Sequence, residues 1–138
     1  MTDLELIKKA LEARKKSYCP YSNFAVGAAL LCKDGSVFLG CNIENAAYGP
    51  SNCAERTAIF KAVSEGNREF EKIAIVGGNI SATSLEYCAP CGVCRQVMRE
   101  FVDPEKFQIL LGKEDEEYKT FTLAELFPEG FGPENLDN

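Results

Sequence analysis

Three of the seven cysteines in this 138-residue chain stand where helices should begin. Cys91-Gly92-Val93-Cys94 puts two thiols one helical turn apart on one face, able to grip a single metal ion. Cys53 opens the helical segment before it. Thiolates at helix N-termini are favoured by the unpaired N–H groups and the dipole there. If the two helix starts meet, they form a site of three cysteine ligands with a fourth position open, which is the arrangement of catalytic rather than structural zinc. The C-x-x-C pair taken alone also fits a structural zinc site or a redox pair. Together with Cys88 it fits part of an iron–sulfur run, for which Cys19, Cys32, Cys41 or Cys53 would supply the further ligand.

The chain contains no histidine. That excludes a Ser-His-Asp triad, a Cys-His pair and every histidine-based zinc site. Proton transfer near neutral pH must then fall to a carboxylate, Cys, Lys or Tyr with a shifted pKa. Glu55 stands two residues after Cys53, where it can lean over the open position without ligating and shuttle protons. Three thiolates around Zn²⁺ leave a surplus negative charge, so the bound water is less acidified than in a site of neutral histidines. Arg56 and the two helix N-termini would offset that surplus, with Arg56 hydrogen-bonding the thiolates.

The charge of −6 argues against a nucleic-acid partner, which requires clustered Lys and Arg. No apolar run approaches the roughly 20 residues that span a bilayer. The first residues mix Asp3 and Glu5 with Lys8 and Lys9 and lack the apolar stretch of a secretory signal. The expected location is the cytoplasm, where cysteines serve as thiols or metal ligands.

The pattern along the chain predicts a helix over 3–16, opened by a Thr2/Glu5 capping box and presenting Leu4, Ile7 and Leu11, with Leu6, Ala10 and Ala13 close by. Residues 24–32 and 37–42 read as a hairpin about the turn Lys33-Asp34-Gly35-Ser36. A loop over 43–52 precedes a helix from Cys53 with Ile59, Phe60 and Val63 inward and Gly66 as its stop. A buried strand over 72–79, a helix over 91–102, strands over 107–111 and 118–122, and a helical turn over 123–127 complete the order. The expectation is an α/β fold: one domain over 1–138, with a single mixed, about five-stranded sheet between helical layers.

Joined together, Cys53-Ala54-Glu55 and Pro90-Cys91-Gly92-Val93-Cys94 resemble the signature of the zinc-dependent deaminases. More of the chain is similar to one branch, the small homotetrameric cytidine deaminases that act on free nucleosides. Pro20-Tyr21-Ser22-Asn23-Phe24-Ala25-Val26-Gly27-Ala28-Ala29-Leu30 looks like the strand flooring that family's pocket, and Gly40-Cys41-Asn42-Ile43-Glu44-Asn45-Ala46 like its ribose-binding segment. Cys53-Ala54-Glu55-Arg56-Thr57-Ala58, Cys94-Arg95-Gln96-Val97 and the tail from Leu126 to Pro133 extend the likeness over nearly the whole chain.

The resemblance implies a three-layer α-β-α fold and one Zn²⁺ per subunit on Cys53, Cys91 and Cys94. It implies hydrolysis of cytidine and 2′-deoxycytidine to the uridine nucleosides and ammonia, for pyrimidine salvage. Zinc would supply the hydroxide and Glu55 would carry the protons. Asn42 and Glu44, two apart on a strand, would hold the ribose hydroxyls, and Phe24 would pack on the pyrimidine. The Ala54 N–H would also bind substrate, while Tyr48 and Phe131 would reach a neighbour's pocket in a homotetramer with active sites at its interfaces. Read without the family, Phe131 could equally be a core plug.

The Asn42-Ile43-Glu44 pair suits a ribose diol and disfavours an aminonucleoside-antibiotic deaminase, which shares the zinc motifs. Glu55 distinguishes an enzyme from a zinc or iron–sulfur binding module, which has four protein ligands and no need of an adjacent acid–base group. Two features depart from the family pattern: a long, polar stretch over 77–89, and Cys88, an extra thiol expected to be a bystander.

Overall fold

The computed structural model describes residues 1–136, so the last two residues of the expected 1–138 span lie outside the described residues. Helix α1 (Asp3–Arg14) starts at the expected capping box: Glu5 N donates to Thr2 Oγ1 at 3.1 Å and Thr2 N to Glu5 Oε2 at 3.0 Å. Leu6, Ile7, Ala10 and Ala13 form its buried stripe. Leu4 and Leu11, expected on that stripe, lie at its half-buried margins.

Strands β1 (Phe24–Cys32) and β2 (Val37–Cys41) form the hairpin, followed by α2 (Ala54–Ser64), β3 (Phe70–Asn79), α3 (Gly92–Phe101), β4 (Gln108–Gly112), β5 (Tyr118–Thr122) and α4 (Leu123–Leu126). The sheet order is β2-β1-β3-β4-β5. β1 is antiparallel to both β2 and β3, β3 is parallel to β4, and β4 is antiparallel to β5, so the sheet is mixed.

The pleat sorts the apolar strand residues onto two faces. Ala29, Leu31, Ala74, Val76 and Leu110 pack against Leu6, Ile7 and Ala10 of α1. Ala28, Leu30, Ile73, Ile75, Ile109 and Leu111 pack against Ala58, Ile59 and Ala62 of α2, Cys94 and Met98 of α3, and Leu123 of α4. This is the three-layer α-β-α arrangement. Phe60, expected inward, is instead 47% exposed. The buried stripe of α2 runs through Ala54, Glu55, Ala58, Ile59 and Ala62, and position 60 falls outside it at 100° per residue.

Two glycines set close approaches of helix to sheet. A Cβ on Gly27 would lie 2.1 Å from the Ala10 carbonyl oxygen of α1, and one on Gly40 would lie 2.2 Å from the Ala54 carbonyl oxygen and 2.6 Å from Ala58 N of α2. Only a residue without Cβ lets backbone meet backbone at these points.

Because β2 and β3 flank β1 and both run opposite to it, they end at the edge where β1 starts. Helices α2 and α3 therefore begin from the same edge. Arg14 ties the end of α1 there as well, with Nε donating to Ala25 O at 2.9 Å and Nη2 to Gly78 O at 2.8 Å. Gly40→Ala is expected to cost about 2 kcal/mol, within the range for overpacking a rigid contact. Urea denaturation of the zinc-loaded protein would show it as a lowered midpoint.

Candidate active site

Cys53 is the N-cap of α2 and Cys91 the N-cap of α3. Both have extended backbone, and neither side chain caps its own helix. Their Sγ atoms turn to each other, 3.7 Å apart, and Cys94, one turn into α3, places its Sγ 3.5 Å from that of Cys91. All three sulfurs lie within 4.8 Å of one another. Zn–S bonds of about 2.3 Å at tetrahedral angles put sulfurs about 3.8 Å apart, so the cluster fits one zinc ion. All seven cysteines are free thiols, and Cys88 is not in this group. Cys53, Cys91 and Cys94 thus form a group placed to hold a metal ion.

Arg56 Nη2 donates to Cys53 Sγ at 3.2 Å. Its Nε is buried without a hydrogen-bond partner, and no carboxylate pairs with Arg56 among the described residues. Its charge is therefore directed at sulfur. The Cys53 thiol is pushed down to about 5, chiefly by the hydrogen bond from Cys94, against the effect of burial and with help from Arg56. Cys94 moves upward as the proton donor of that pair, with burial adding to the shift. Cys53 is thus held toward the thiolate form that binds a cation, while Cys94 keeps the shared proton, which a metal ion would displace.

Glu55, in the first turn of α2, is 4% exposed, the one buried charged side chain among the described residues. Burial pushes its carboxyl up to about 7. Its own backbone N–H and the Cys94 thiol pull it down, and the negative charge of Cys53 pushes it up. A carboxyl balanced near neutrality both accepts and returns a proton at working pH. Ala54, fully buried, is the first residue of α2.

The other expected residues gather at the same edge. Phe24 opens β1 and is 42% exposed. β2 ends at Cys41, so Asn42 and Glu44 lie just beyond the strand rather than on it, flanking Ile43, which bridges to Tyr18 and Asn52. Asn42 Oδ1 accepts from Val26 N at 2.9 Å, and its Nδ2 donates to Phe24 O at 2.7 Å. Glu44 Oε1 accepts from the N–H groups of Tyr21 and Ser22, each at 3.0 Å, and Oε2 from the Ser22 hydroxyl. These bonds, the Ser22 hydroxyl foremost, hold the Glu44 carboxyl below its ordinary value.

Tyr48 is 71% and Phe131 54% exposed, so Phe131 does not plug the core. The Tyr48 ring meets Tyr21 edge-on, with centroids 6.0 Å apart. Gln96 Nε2 of α3 donates to Phe131 O at 2.9 Å.

Size alone does not locate the site. A depression of about 650 Å³ lies among Ala13, Lys16, Leu39, Cys41 and Lys61 and contains none of the three clustered thiols. A cavity of about 320 Å³ has Phe24, Tyr87 and Cys88 in its wall. Burial raises the Cys88 thiol to about 11, and the negative charges of Glu55, Cys53 and Cys91 add to the shift.

Two supporting residues had no role in the sequence reading. Thr57 Oγ1 lies 3.0 Å from Cys41 O and 3.2 Å from Cys53 O and accepts from Asn52 Nδ2, fastening the start of α2 to the end of β2. Ser22 binds Glu44. A hydroxyl one turn inside a helix start, and a Ser-Asn pair before a strand, were the available signals, though both are common in turns.

The family model described as the cytidine and deoxycytidylate deaminase zinc-binding region matches residues 1–110. The cytidine deaminase of Halalkalibacterium halodurans is 50% identical over 133 residues, 96% of each chain. That of Sporosarcina psychrophila is 46% identical over 132 residues, 96% of this chain and 93% of the relative. The crystal structure of a cytidine deaminase from Burkholderia pseudomallei superimposes with a TM-score of 0.86 at 47% identity, over 95% of this chain and 100% of that one.

Zinc analysis should find the metal lost from Cys53→Ala and retained in Cys88→Ser; the reverse result would reassign the ligand set. Removing the guanidinium in Arg56→Gln should weaken zinc binding by roughly tenfold, the scale of a neighbour that supports a metal ligand. A competition titration against a chromogenic chelator reads this directly.

Proposed function

Since this chain belongs to the cytidine and deoxycytidylate deaminase zinc-binding family, we propose that it hydrolyses free cytidine and 2′-deoxycytidine. The products are uridine or 2′-deoxyuridine and ammonia. The reading is carried by one juxtaposition: a near-neutral buried carboxyl, Glu55, two residues from a cluster of three thiols with room for a fourth ligand. Cys53, Cys91 and Cys94 would hold the zinc ion, which would supply Lewis-acid chemistry for activating water.

Glu55 takes one proton from the attacking water and delivers it to the ring nitrogen beside C4, then takes the second from the C4 hydroxyl as the carbonyl forms and passes it to the departing amine. Water adds, ammonia leaves and Glu55 returns to its starting state. Burial serves this role twice, by bringing the carboxyl near pH 7 and by limiting exchange with bulk solvent. Arg56 balances the thiolate charge through its bond to Cys53.

Phe24 packs against the pyrimidine, the Ala54 N–H donates to it, and Asn42 and Glu44 hold the ribose hydroxyls. Their position at the sheet edge that carries the zinc ligands supports those roles. The chain acts as one domain over residues 1–138. The exposed rings of Tyr48 and Phe131 support assembly as a homotetramer, in which each completes a neighbour's pocket. No helix among the described residues is long and apolar enough to cross a membrane. The enzyme works in the cytoplasm, in pyrimidine salvage.

The fall in cytidine absorbance on deamination tests the proposal. Zinc-loaded wild type should turn cytidine over, a chelator should abolish the activity, and added zinc should restore it. Glu55→Ala should lower kcat by roughly 10²- to 10⁴-fold, the range for loss of a general acid–base. No turnover by the zinc-loaded wild type would refute the assignment, and equal rates for both proteins would refute the role of Glu55.

A further inference from the structure

Ser22 sits on the turn before β1 and makes three of the bonds that define the ribose end of the site. Its backbone N–H donates to Glu44 Oε1 at 3.0 Å, and its hydroxyl donates to Glu44 Oε2. The same oxygen accepts from Phe24 N at 3.0 Å. One residue thus grips both oxygens of the carboxylate and the backbone of the ring-bearing residue. We infer that Ser22 is a positioning residue that aims Glu44 at the sugar and fixes Glu44 relative to Phe24, an inference resting on the nucleoside-deaminase reading above.

The hydroxyl has no freedom in this arrangement. An ionised carboxylate only accepts and a backbone N–H only donates, so the Ser22 proton must point to Glu44 and its lone pair to Phe24. On the carboxylate, Oε1 already accepts twice, from Tyr21 N and Ser22 N. Oε2 accepts once, from Ser22. One acceptor direction stays open, and Ser22 sets where it points.

The turn itself is rigid. Asn23 adopts φ +58, a conformation that Asn tolerates well, and donates its N–H to Cys19 O at 2.9 Å. Its carbonyl accepts from Ile80 N at 2.8 Å. Across the strand end, Asn42 holds Phe24 O and Val26 N. The chain Glu44–Ser22–Phe24–Asn42 therefore closes a frame of hydrogen bonds around the place where base and sugar meet.

Steady-state kinetics on zinc-loaded Ser22→Ala, Ser22→Thr, Glu44→Gln and the Ser22→Ala/Glu44→Gln double variant tests the assignment. Ser22→Ala should raise KM for cytidine roughly tenfold, on the scale of one charge-assisted hydrogen bond, and leave kcat within about twofold. Ser22→Thr, which keeps the hydroxyl, should restore most of the affinity. The double variant should resemble Glu44→Gln alone, since Ser22 acts through that carboxylate. With 2′,3′-dideoxycytidine, which has no diol to hold, wild type and Ser22→Ala should differ little.

A merely structural loss would raise KM equally for both nucleosides and add to Glu44→Gln, and either result overturns the positioning role. An unchanged KM in Ser22→Ala, with Glu44→Gln impaired, overturns it while leaving the deaminase reading intact. Failure of the wild type to turn over cytidine overturns both.

Discussion

The site depends on one topological constraint: β2 and β3 run in the same direction on either side of β1. Each is followed by the segment that leads into a helix, so both helices start at one sheet edge. A helix start provides unpaired N–H groups and the positive end of a dipole, and here two of them face a single cluster of thiols. The cysteines are N-caps that do not cap. The usual bond between a cap side chain and its own helix is given up, and both sulfurs are free for the metal. Gly40 lets α2 come down onto β2 at that edge, and Thr57 fastens it.

Much of this was legible in the amino-acid order. The Thr2/Glu5 capping box, the apolar runs of β1 and β3, and the cysteines opening α2 and α3 carry strong local signals, because capping and strand burial are set by nearby residues. Phe60 shows where that legibility ends. Its apolarity favoured an inward position, but the face that α2 turns to the sheet carries Ala54, Glu55, Ala58, Ile59 and Ala62, and that rotation is set by packing against other elements. The strand expected to carry Asn42 and Glu44 stops at Cys41 for a similar reason: the chain leaves β1 to pair with Tyr18. In the site, residue types and spacing identified the thiols, Glu55 and Arg56. The part of Ser22 was hidden, since a serine in a turn has many local uses and its partner lies 22 residues away.

The absence of histidine gives the site its electrostatic character. Three sulfurs draw in negative charge, and a buried carboxyl nearby adds to it. The protein answers with one guanidinium and two helix starts rather than with further cations, and the Cys53 charge adds to the burial that holds Glu55 near neutrality. Ligand choice and proton chemistry are thus coupled. A histidine in place of Cys53 would alter both at once.

Cys91 and Cys94 are neighbours along the chain, while Cys53 lies 38 residues before Cys91, with all of β3 between them. An unfolded chain therefore presents a local pair of thiols but brings in the third only by closing a long loop, at an entropic cost that the sheet removes by pairing β3 with β1. Full coordination becomes a report on tertiary structure: metal captured by three sulfurs certifies that the central strands have already assembled. The bound ion then acts as a clasp across the sheet edge, so that the step that arms the enzyme also locks the fold that built it.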